Sequence, residues 1–201
     1  MLRVIPKETV DHLRGGGVVA YPTSTLPGLA ALPTIEGLDA LFTLKKRPPT
    51  KPVSLAVTSL EQAAQLVHVP HEIMALEAAF PKGSMTFVLP AIKPLAPRLG
   101  GSSIAVRCVA HPLALALVET VGPVTATSAN EAGMIPHSTS EEAGRELGLP
   151  AVAILPGECP GGHGSTFVKW EASTNGHGTV TVMREGVIPS LDVTKWWMNQ
   201  N

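Results

Sequence analysis

Hydrophobic positions along the 201 residues alternate between helical spacing and short continuous apolar runs. Helical spacing predicts helices in PKETVDHLR (6–14), IEGLDALFTLKK (35–46), SLEQAAQL (59–66), HEIMALEAAF (71–80), HPLALALVETV (111–121) and TSEEAGRELG (139–148). Apolar runs predict strands in GVVAYP (17–22), PVSLAV (52–57), SMTFVLPA (84–91), SIAVRCV (103–109), GPVTATSAN (122–130), AVAIL (151–155), STFVKW (165–170) and TVTVMRE (179–185). Helices separate most of the early strands, whereas the last strands lie close together. The pattern therefore predicts an α/β domain with one mixed sheet.

Polar residues at the predicted helix starts support these boundaries. Thr34 is placed to cap the helix that begins at residue 35, and Ser59 with Gln62 forms a capping-box pair. Because ligands of open α/β sheets bind beyond the strand ends, the loops between these elements are the candidate functional segments. Four of them carry suitable side chains: 21–28, 45–51, 127–130 and 161–166.

The charged residues are distributed unevenly, although the formal net charge is only −1. Segments 40–60 and 78–118 contain eight Lys or Arg residues and no Asp or Glu, whereas the rest of the chain carries seven basic and sixteen acidic residues. If the two segments meet in space, they form a cationic concave face that concentrates anionic ligands. The alternative, that these charges are scattered over the surface, stays open at this level.

Composition excludes several classes of protein. Gly and Pro fit turn chemistry in a globular chain, and Cys108 and Cys159 form no Cys-x-x-Cys spacing, which argues against a disulfide framework and favours the cytoplasm. The N-terminus shows no apolar signal region, and the most apolar later run, residues 108–121, is shorter than a membrane span. We expect no export and no membrane anchoring.

Several catalytic motifs are absent from the sequence. The stretch GECPGGHGST (157–166) has His163 where a phosphate-binding P-loop requires lysine, so it is at most a glycine turn that contacts an anion. His68 and His71 are close but separated by a proline, which argues against a histidine metal site. No G-x-S-x-G elbow occurs. The remaining hydroxyls and cations suit a polyanion together with a polar small molecule, as in phosphoryl or nucleotidyl transfer.

Seven segments together resemble a known family. VVAYPTSTLPGLA, LKKRPPTKPVSLAV, KGSMTFVLPA, SSIAVRCVAHP, TATSAN, GSTFV and VMREGVI have the order and approximate spacing of the YrdC/TsaC family, the threonylcarbamoyl-AMP synthases. The resemblance extends from about residue 17 to 188 and is to the short form, without the extra C-terminal domain of longer members. It implies one YrdC-like domain over 1–201, a twisted open mixed sheet flanked by helices.

The resemblance also implies a reaction. L-threonine, bicarbonate and ATP give L-threonylcarbamoyl-AMP and pyrophosphate, and downstream transferase proteins use the product to make threonylcarbamoyladenosine in tRNA. The expected cofactor is Mg²⁺ carried by ATP, with no metal ligand from the protein, because few carboxylates lie near these loops.

The residues that match the family motifs take their expected roles from the resemblance. Lys45 and Arg47 form the K-x-R motif and are the catalytic pair. The threonine contacts are Thr25, Arg107, Ser128 and Ser165, and the nucleotide contacts are Arg47, Lys51, Ser103, Asn130, Ser138 and Arg184.

The altered first loop and the cationic face each keep an alternative open. The first loop has Ser24 and then Leu26-Pro27-Gly28, where the family has Glu and then Tyr-Gly. A paralogue that carbamoylates a different acceptor is therefore one alternative. A double-stranded-RNA-binding module that uses the same cationic face is a second alternative; its weak RNA binding would fall steeply with salt and would not depend on threonine.

Overall fold

The computed structural model describes residues 4–131, 134–173 and 178–200. Eight strands within these ranges form one sheet in the order β1-β2-β6-β3-β5-β4-β7-β8. The strands are β1 (Val19–Tyr21), β2 (Gly28–Ala30), β3 (Ser54–Val57), β4 (Met85–Pro90), β5 (Ser103–Cys108), β6 (Val124–Ser128), β7 (Thr166–Glu171) and β8 (Thr179–Arg184). The pairs β3–β5 and β4–β7 are parallel and the other five are antiparallel. The predicted α/β class with an open mixed sheet is confirmed.

Helices connect the strands and flank the sheet. They are α1 (Lys7–Arg14), α2 (Ile35–Leu44), α3 (Leu60–Ala63), α4 (His71–Ala79), α5 (Pro112–Val121), α6 (Ser140–Glu146) and α7 (Ser190–Met198), with short 3₁₀ turns at Pro97–Leu99 and Ala151–Ala153. Across the described ranges, no helix has both the length and the apolar character needed to cross a bilayer.

Both faces of the sheet are covered by hydrophobic side chains in the β1-β2-β6-β3 half. Along β3, Leu55 and Val57 belong to one buried cluster, whereas Ala56 belongs to a second cluster with Leu113 and Leu117 of α5. This division follows from the strand, because successive side chains point to opposite faces. A strand with two covered faces reads as a continuous apolar run, which is why the sequence marks it so clearly.

The predicted helix caps are confirmed. Thr34 Oγ1 accepts a hydrogen bond from the Gly37 N–H at 3.2 Å. At α3, Ser59 Oγ accepts from the Gln62 N–H at 3.3 Å, while Gln62 Oε1 accepts from the Thr58 N–H at 2.8 Å. Each hydroxyl satisfies an amide group that the first helical turn leaves without a partner. The Gln62 side chain binds the Thr58 N–H, one residue before the Ser59 N–H that a capping box would use.

The structure corrects three expectations. AVAIL (151–155) is not a strand: Ala151–Ala153 is a 3₁₀ turn, and only Ile154 bridges to Ala20. Strand β2 lies at the end of the first candidate loop, and α7 follows β8, and neither was predicted. The three residues of β2 are too few to give a period, and tertiary pairing with β6 determines their conformation.

Candidate functional site

One face of the sheet forms the floor of a cavity of about 580 Å³. Side chains of paired residues project to the same face, so the strand register determines which residues meet there. Between β2 and β8, five pairs of directly opposed residues on neighbouring strands lie on this face. They are Gly28–Ser128, Ala126–Ser54, Ala56–Arg107, Thr86–Phe167 and Phe167–Arg184. Residues separated by up to about 150 positions in the chain thus form a single surface.

All four candidate loops reach this cavity. Its walls come from the 21–28 loop, the end of α2, the turn after β6 and the glycine-rich segment before β7. Eight of the predicted site residues line it: Thr25, Lys45, Arg47, Arg107, Ser128, Asn130, Ser165 and Arg184.

Lys45 is buried at the C-terminal end of α2, with 6% of its surface exposed. Its Nζ donates to the backbone carbonyls of Ser128, at 2.5 Å, and Asn130, at 2.8 Å. Burial, together with the nearby charge of Arg47, lowers the pKa of Lys45 to about 8. The ammonium therefore fixes the turn after β6 while keeping its charge beside the cavity.

Arg47 is held by backbone carbonyls of its own loop. Nε donates to the Lys51 carbonyl at 2.7 Å and Nη2 to the Pro52 carbonyl at 2.6 Å, while the guanidinium carbon lies 5.9 Å from the centre of the Phe42 ring. Burial lowers the pKa of Arg47, although an arginine of this kind stays charged. The loop thus orients a cation without neutralising it.

Arg107 projects from β5 and contacts the first loop. Nε donates to the Gly83 carbonyl at 2.9 Å, and Nη2 donates to Thr25 Oγ1 at 2.9 Å and Ser24 Oγ at 3.3 Å. Burial is the main cause that lowers the pKa of Arg107. Its partners in the described part of the chain are neutral, so its charge has no anionic complement there.

The glycine-rich segment is tied to the sheet at several points. The Gly161 N–H donates to the Thr25 carbonyl and the Val187 N–H donates to the Gly164 carbonyl, both at 2.9 Å. Ser165 is buried and exchanges a 2.7 Å hydrogen bond with the Thr86 hydroxyl. The segment is therefore a shaped wall of the cavity.

Arg184 extends over this wall from the end of β8. Its Nη2 donates to the Ser165 carbonyl at 2.8 Å, and its guanidinium carbon lies 4.4 Å from the centre of the Phe167 ring. Stacking of this kind holds a guanidinium in place while leaving its charge available.

Asn130 is fixed by its own turn. Nδ2 donates to the carbonyls of Glu131, at 3.0 Å, and Met134, at 2.8 Å. Its Oδ1 is buried and accepts no hydrogen bond from the described residues. A buried acceptor without a donor is unfavourable, so this atom is a candidate contact for a ligand.

Three predicted site residues lie outside the cavity lining: Lys51, Ser103 and Ser138. The Lys51 side chain is exposed, and it is its carbonyl that serves the site, by holding Arg47. Ser103 is the exposed first residue of β5, and the Ser138 carbonyl accepts from the Cys159 N–H. Neither residue is among those that line the cavity.

Several residues that line the cavity lie inside strands and were not predicted as site residues. Thr86 and Phe167 were assigned to apolar runs, and Ser54 was one polar position within such a run. A polar residue inside an otherwise apolar strand was the available signal for Ser54 and Thr86. No comparable signal marks Phe167.

The eight basic residues of the two acid-free segments are divided by the fold. Lys45, Arg47 and Arg107 line the cavity, and Arg184 joins them from outside those segments. Arg98 pairs with Asp39 and Lys46 with Glu131 away from the floor. One carboxylate, Glu185, lines the cavity, and in the described ranges no group of three His, Cys, Asp or Glu side chains is placed to hold a metal ion.

Sequence comparison assigns the chain to a family. The family model Sua5/YciO/YrdC, described as "Telomere recombination", matches residues 11–186. The chain belongs to this family. It is 34% identical over 163 residues to the threonylcarbamoyl-AMP synthase of Vibrio parahaemolyticus, covering 77% of this chain and 88% of that one. The enzyme of the same name from Photobacterium profundum is 34% identical over 190 residues, or 90% and 98% of the two chains.

Solved structures of the family share the fold. The crystal structure of P. abyssi Sua5 complexed with L-threonine superimposes with a TM-score of 0.79 at 28% identity. The match covers 94% of this chain and 56% of the Sua5 chain, so this chain spans a little over half of that relative.

Proposed function

We propose that this member of the Sua5/YciO/YrdC family synthesises L-threonylcarbamoyl-AMP and pyrophosphate from L-threonine, bicarbonate and ATP. The observation that carries the proposal is the way the cavity holds its cations. Lys45, Arg47, Arg107 and Arg184 are each fixed by backbone carbonyls, and no described carboxylate lies within 4 Å of any of them. The named relatives give the substrates that fit such a site.

Cations held in this way favour an anionic ligand. Removing a charged group from water is costly unless an opposite charge or strong hydrogen bonds replace the water. Backbone carbonyls supply part of that replacement and leave each positive charge uncompensated. A triphosphate and an amino-acid carboxylate neutralise these positive charges when they bind.

The threonine side of the cavity is the region around Arg107. Its guanidinium, oriented by Thr25 and the Gly83 carbonyl, pairs with the carboxylate of the amino acid. Ser128, at the end of β6, lines the same cavity and contributes a further hydroxyl. Thr25 and Ser128 thus act with Arg107 in holding threonine.

The nucleotide side contains the cations that face the phosphate chain. Arg47 and Arg184 neutralise phosphate oxygens. Ser165 lines the same cavity and contributes a hydroxyl to the threonine. Asn130 lines the same cavity, and its buried Oδ1 has no donor among the described residues. Lys45 holds the turn that carries Asn130 and adds its charge to the positive electrostatic potential of the cavity.

The chemistry requires no nucleophile from the protein. The threonine amine attacks the carbon of bicarbonate, and loss of water gives a carbamate. A carbamate oxygen then attacks the α-phosphorus of ATP, the bond to the β-phosphate oxygen breaks, and pyrophosphate leaves. The cavity holds the reactants together and neutralises the charge that develops on the leaving group.

Mg²⁺ enters this proposal only as the counterion that ATP brings. Among the described residues, Glu185 is the one carboxylate that lines the cavity, and this donor set does not fit a protein-held Mg²⁺. Chelation of Mg²⁺ should therefore stop turnover without lowering the melting temperature of the nucleotide-free protein. The nucleotide-bound ion supplies charge neutralisation to the phosphates.

The product would pass to downstream transferase proteins that modify tRNA, since an acyl adenylate of this kind is a reactive donor. We place the reaction in the cytoplasm, where its substrates and tRNA occur together.

Pyrophosphate release tests the proposal directly. Purified protein should release pyrophosphate from ATP only when threonine and bicarbonate are both present. Turnover that is indifferent to threonine would contradict it, and preference for another amino acid would instead favour a different acceptor. Calorimetric titration with threonine and ATP, singly and together, would show whether both ligands bind and whether binding of one strengthens the other.

A further inference from the structure

Helix α2 ends in a left-handed turn at Lys46, whose φ is 49°. Among the described residues, every other positive φ belongs to a glycine. The Arg47 N–H donates to the Phe42 carbonyl at 2.9 Å and the Lys46 N–H to the Thr43 carbonyl at 3.1 Å, which is the Schellman pattern. Glycine normally occupies this position, because a side chain with Cβ is strained there. Ending the helix therefore does not by itself explain why a lysine occupies this position.

This turn directs three successive cations to three different targets. Lys45 donates to the carbonyls of the turn after β6, and Arg47 donates to carbonyls of its own loop. Lys46 lies between them, with its Nζ 3.5 Å from Glu131 Oε1. Two side chains at the end of α2 therefore contact the turn formed by residues 128–131. Lys45, which is buried, binds its backbone carbonyls, and Lys46, which is exposed, pairs with the Glu131 carboxylate.

We propose that Lys46 is a positioning residue that sets the Asn130 amide by holding Glu131. The link is short: Asn130 Nδ2 donates to the Glu131 carbonyl at 3.0 Å, and Asn130 Oδ1 is the buried acceptor that faces no described donor. A displacement of Glu131 therefore moves the amide that contacts the ligand. The consequence for turnover rests on the proposed function, whereas the coupling of Lys46 to the turn does not.

Stability alone does not explain this arrangement. The side chains of Lys46 and Glu131 are 81% and 55% exposed, and ion pairs this exposed contribute little to folding because water and salt screen them. A strained backbone conformation and a weak ion pair together give no net stabilisation. Strain of this kind is instead typical of residues that orient a binding site.

Four variants separate the contributions of backbone and charge. Lys46→Gly relieves the strain and removes the charge, Lys46→Asn removes the charge while tolerating the left-handed conformation, Lys46→Arg keeps the charge, and Glu131→Gln removes the partner. We expect Lys46→Gly, Lys46→Asn and Glu131→Gln to raise KM for ATP or threonine by about two- to fivefold with kcat almost unchanged. Lys46→Arg should retain the wild-type KM.

The melting temperature distinguishes a positioning role of Lys46 from a purely structural one. Lys46→Gly should melt at the wild-type temperature or higher, even though it binds its substrates less well. The Ala129 N–H donates to the Pro27 carbonyl at 2.8 Å, and its hydrogen exchange should become faster in the same three variants. The double variant Lys46→Asn with Glu131→Gln should be no worse than either single variant.

Two results would overturn the proposal. One is an unchanged KM and unchanged Ala129 exchange in Lys46→Asn, and the other is a loss of melting temperature in Lys46→Gly that accounts for the weaker binding. If the wild-type protein shows no threonine-dependent pyrophosphate release, the proposed function fails. ATP titration and Ala129 exchange would then still decide the role of Lys46.

Discussion

The Nη2 of Arg107 donates to Oγ1 of Thr25 at 2.9 Å, although the two residues are 82 positions apart in the chain. The Nε of the same guanidinium donates to the Gly83 carbonyl, so Arg107 joins β5, the first loop and the start of β4. Each of these partners is neutral. A cation that three chain segments orient and none neutralises is positioned for an anionic ligand.

Replacing Arg107 by alanine should remove threonine binding. Loss of one member of a desolvated charge pair costs roughly 2–5 kcal/mol, so kcat/KM for threonine should fall by about 30-fold or more. Pyrophosphate release at several threonine concentrations measures this. Arg98→Ala is the matched control, because Arg98 pairs with Asp39 outside the cavity and should leave kcat/KM within about twofold. Equal losses in both variants would contradict the assignment.

Arg47 and Lys51 should differ sharply, although both were predicted to contact the nucleotide. The Arg47 guanidinium lines the cavity, whereas the Lys51 side chain is exposed and its carbonyl alone serves the site. Arg47→Ala should weaken ATP binding by more than tenfold, while Lys51→Ala, which keeps the carbonyl, should change it by less than about threefold. Calorimetric titration with ATP decides the matter. A large effect of Lys51→Ala would show that its side chain reaches the phosphates.

Replacing Gly83 by alanine should be unfavourable, and Gly101→Ala is the control that separates the steric contact from the backbone cost. Its φ is +79°, and an added Cβ would lie 2.5 Å from Ser24 Oγ, beside the carbonyl that orients Arg107. Gly83→Ala should destabilise the fold by about 1 kcal/mol or more and also reduce threonine binding. Gly101 has φ +65° with no atom within 4 Å of an added Cβ, so Gly101→Ala should show the backbone cost alone. Similar threonine affinities in the two variants would rule out the contact as the cause.

The lowered pKa of Lys45 predicts a specific dependence of stability on pH. Because the pKa is about 8 in the folded chain and 10.5 ordinarily, the folded state loses this proton at a pH where the unfolded state still binds it. Stability contributed by this group therefore rises with pH, between about pH 8 and pH 10.5. Relative to Lys45→Met, which has no proton to lose, the wild-type free energy of unfolding should increase over that range. Denaturant titrations of both proteins measure the difference, and parallel curves would contradict the shifted pKa.

Much of the fold was predictable where a strand is buried on both faces, as β3 is. The run PVSLAV contains β3, and Thr34 and Ser59 mark helix starts through caps that the structure contains. Local patterns failed where tertiary contacts determine the conformation. The 151–155 run forms a 3₁₀ turn against the edge of β1, and β2 exists because residues 28 and 29 pair with β6.

The candidate site divides in the same way. Lys45, Arg47, Arg107 and Asn130 were predicted from residue type and from their match to the family motifs, and the structure places all four in the cavity lining. Ser103 and Ser138 matched a pattern by position but lie outside the cavity, since the direction of a side chain depends on strand register and turn geometry.

The sequence by itself determined the class of fold, the four candidate loops and the two segments that carry basic but no acidic residues. Tertiary structure alone decided which of those cations converge and which are neutralised by ion pairs at the surface. The physical reason is that hydrophobic period and capping are local properties of the chain. The distance between two charges depends on strand order, register and the sense of each turn, which only the packed sheet establishes.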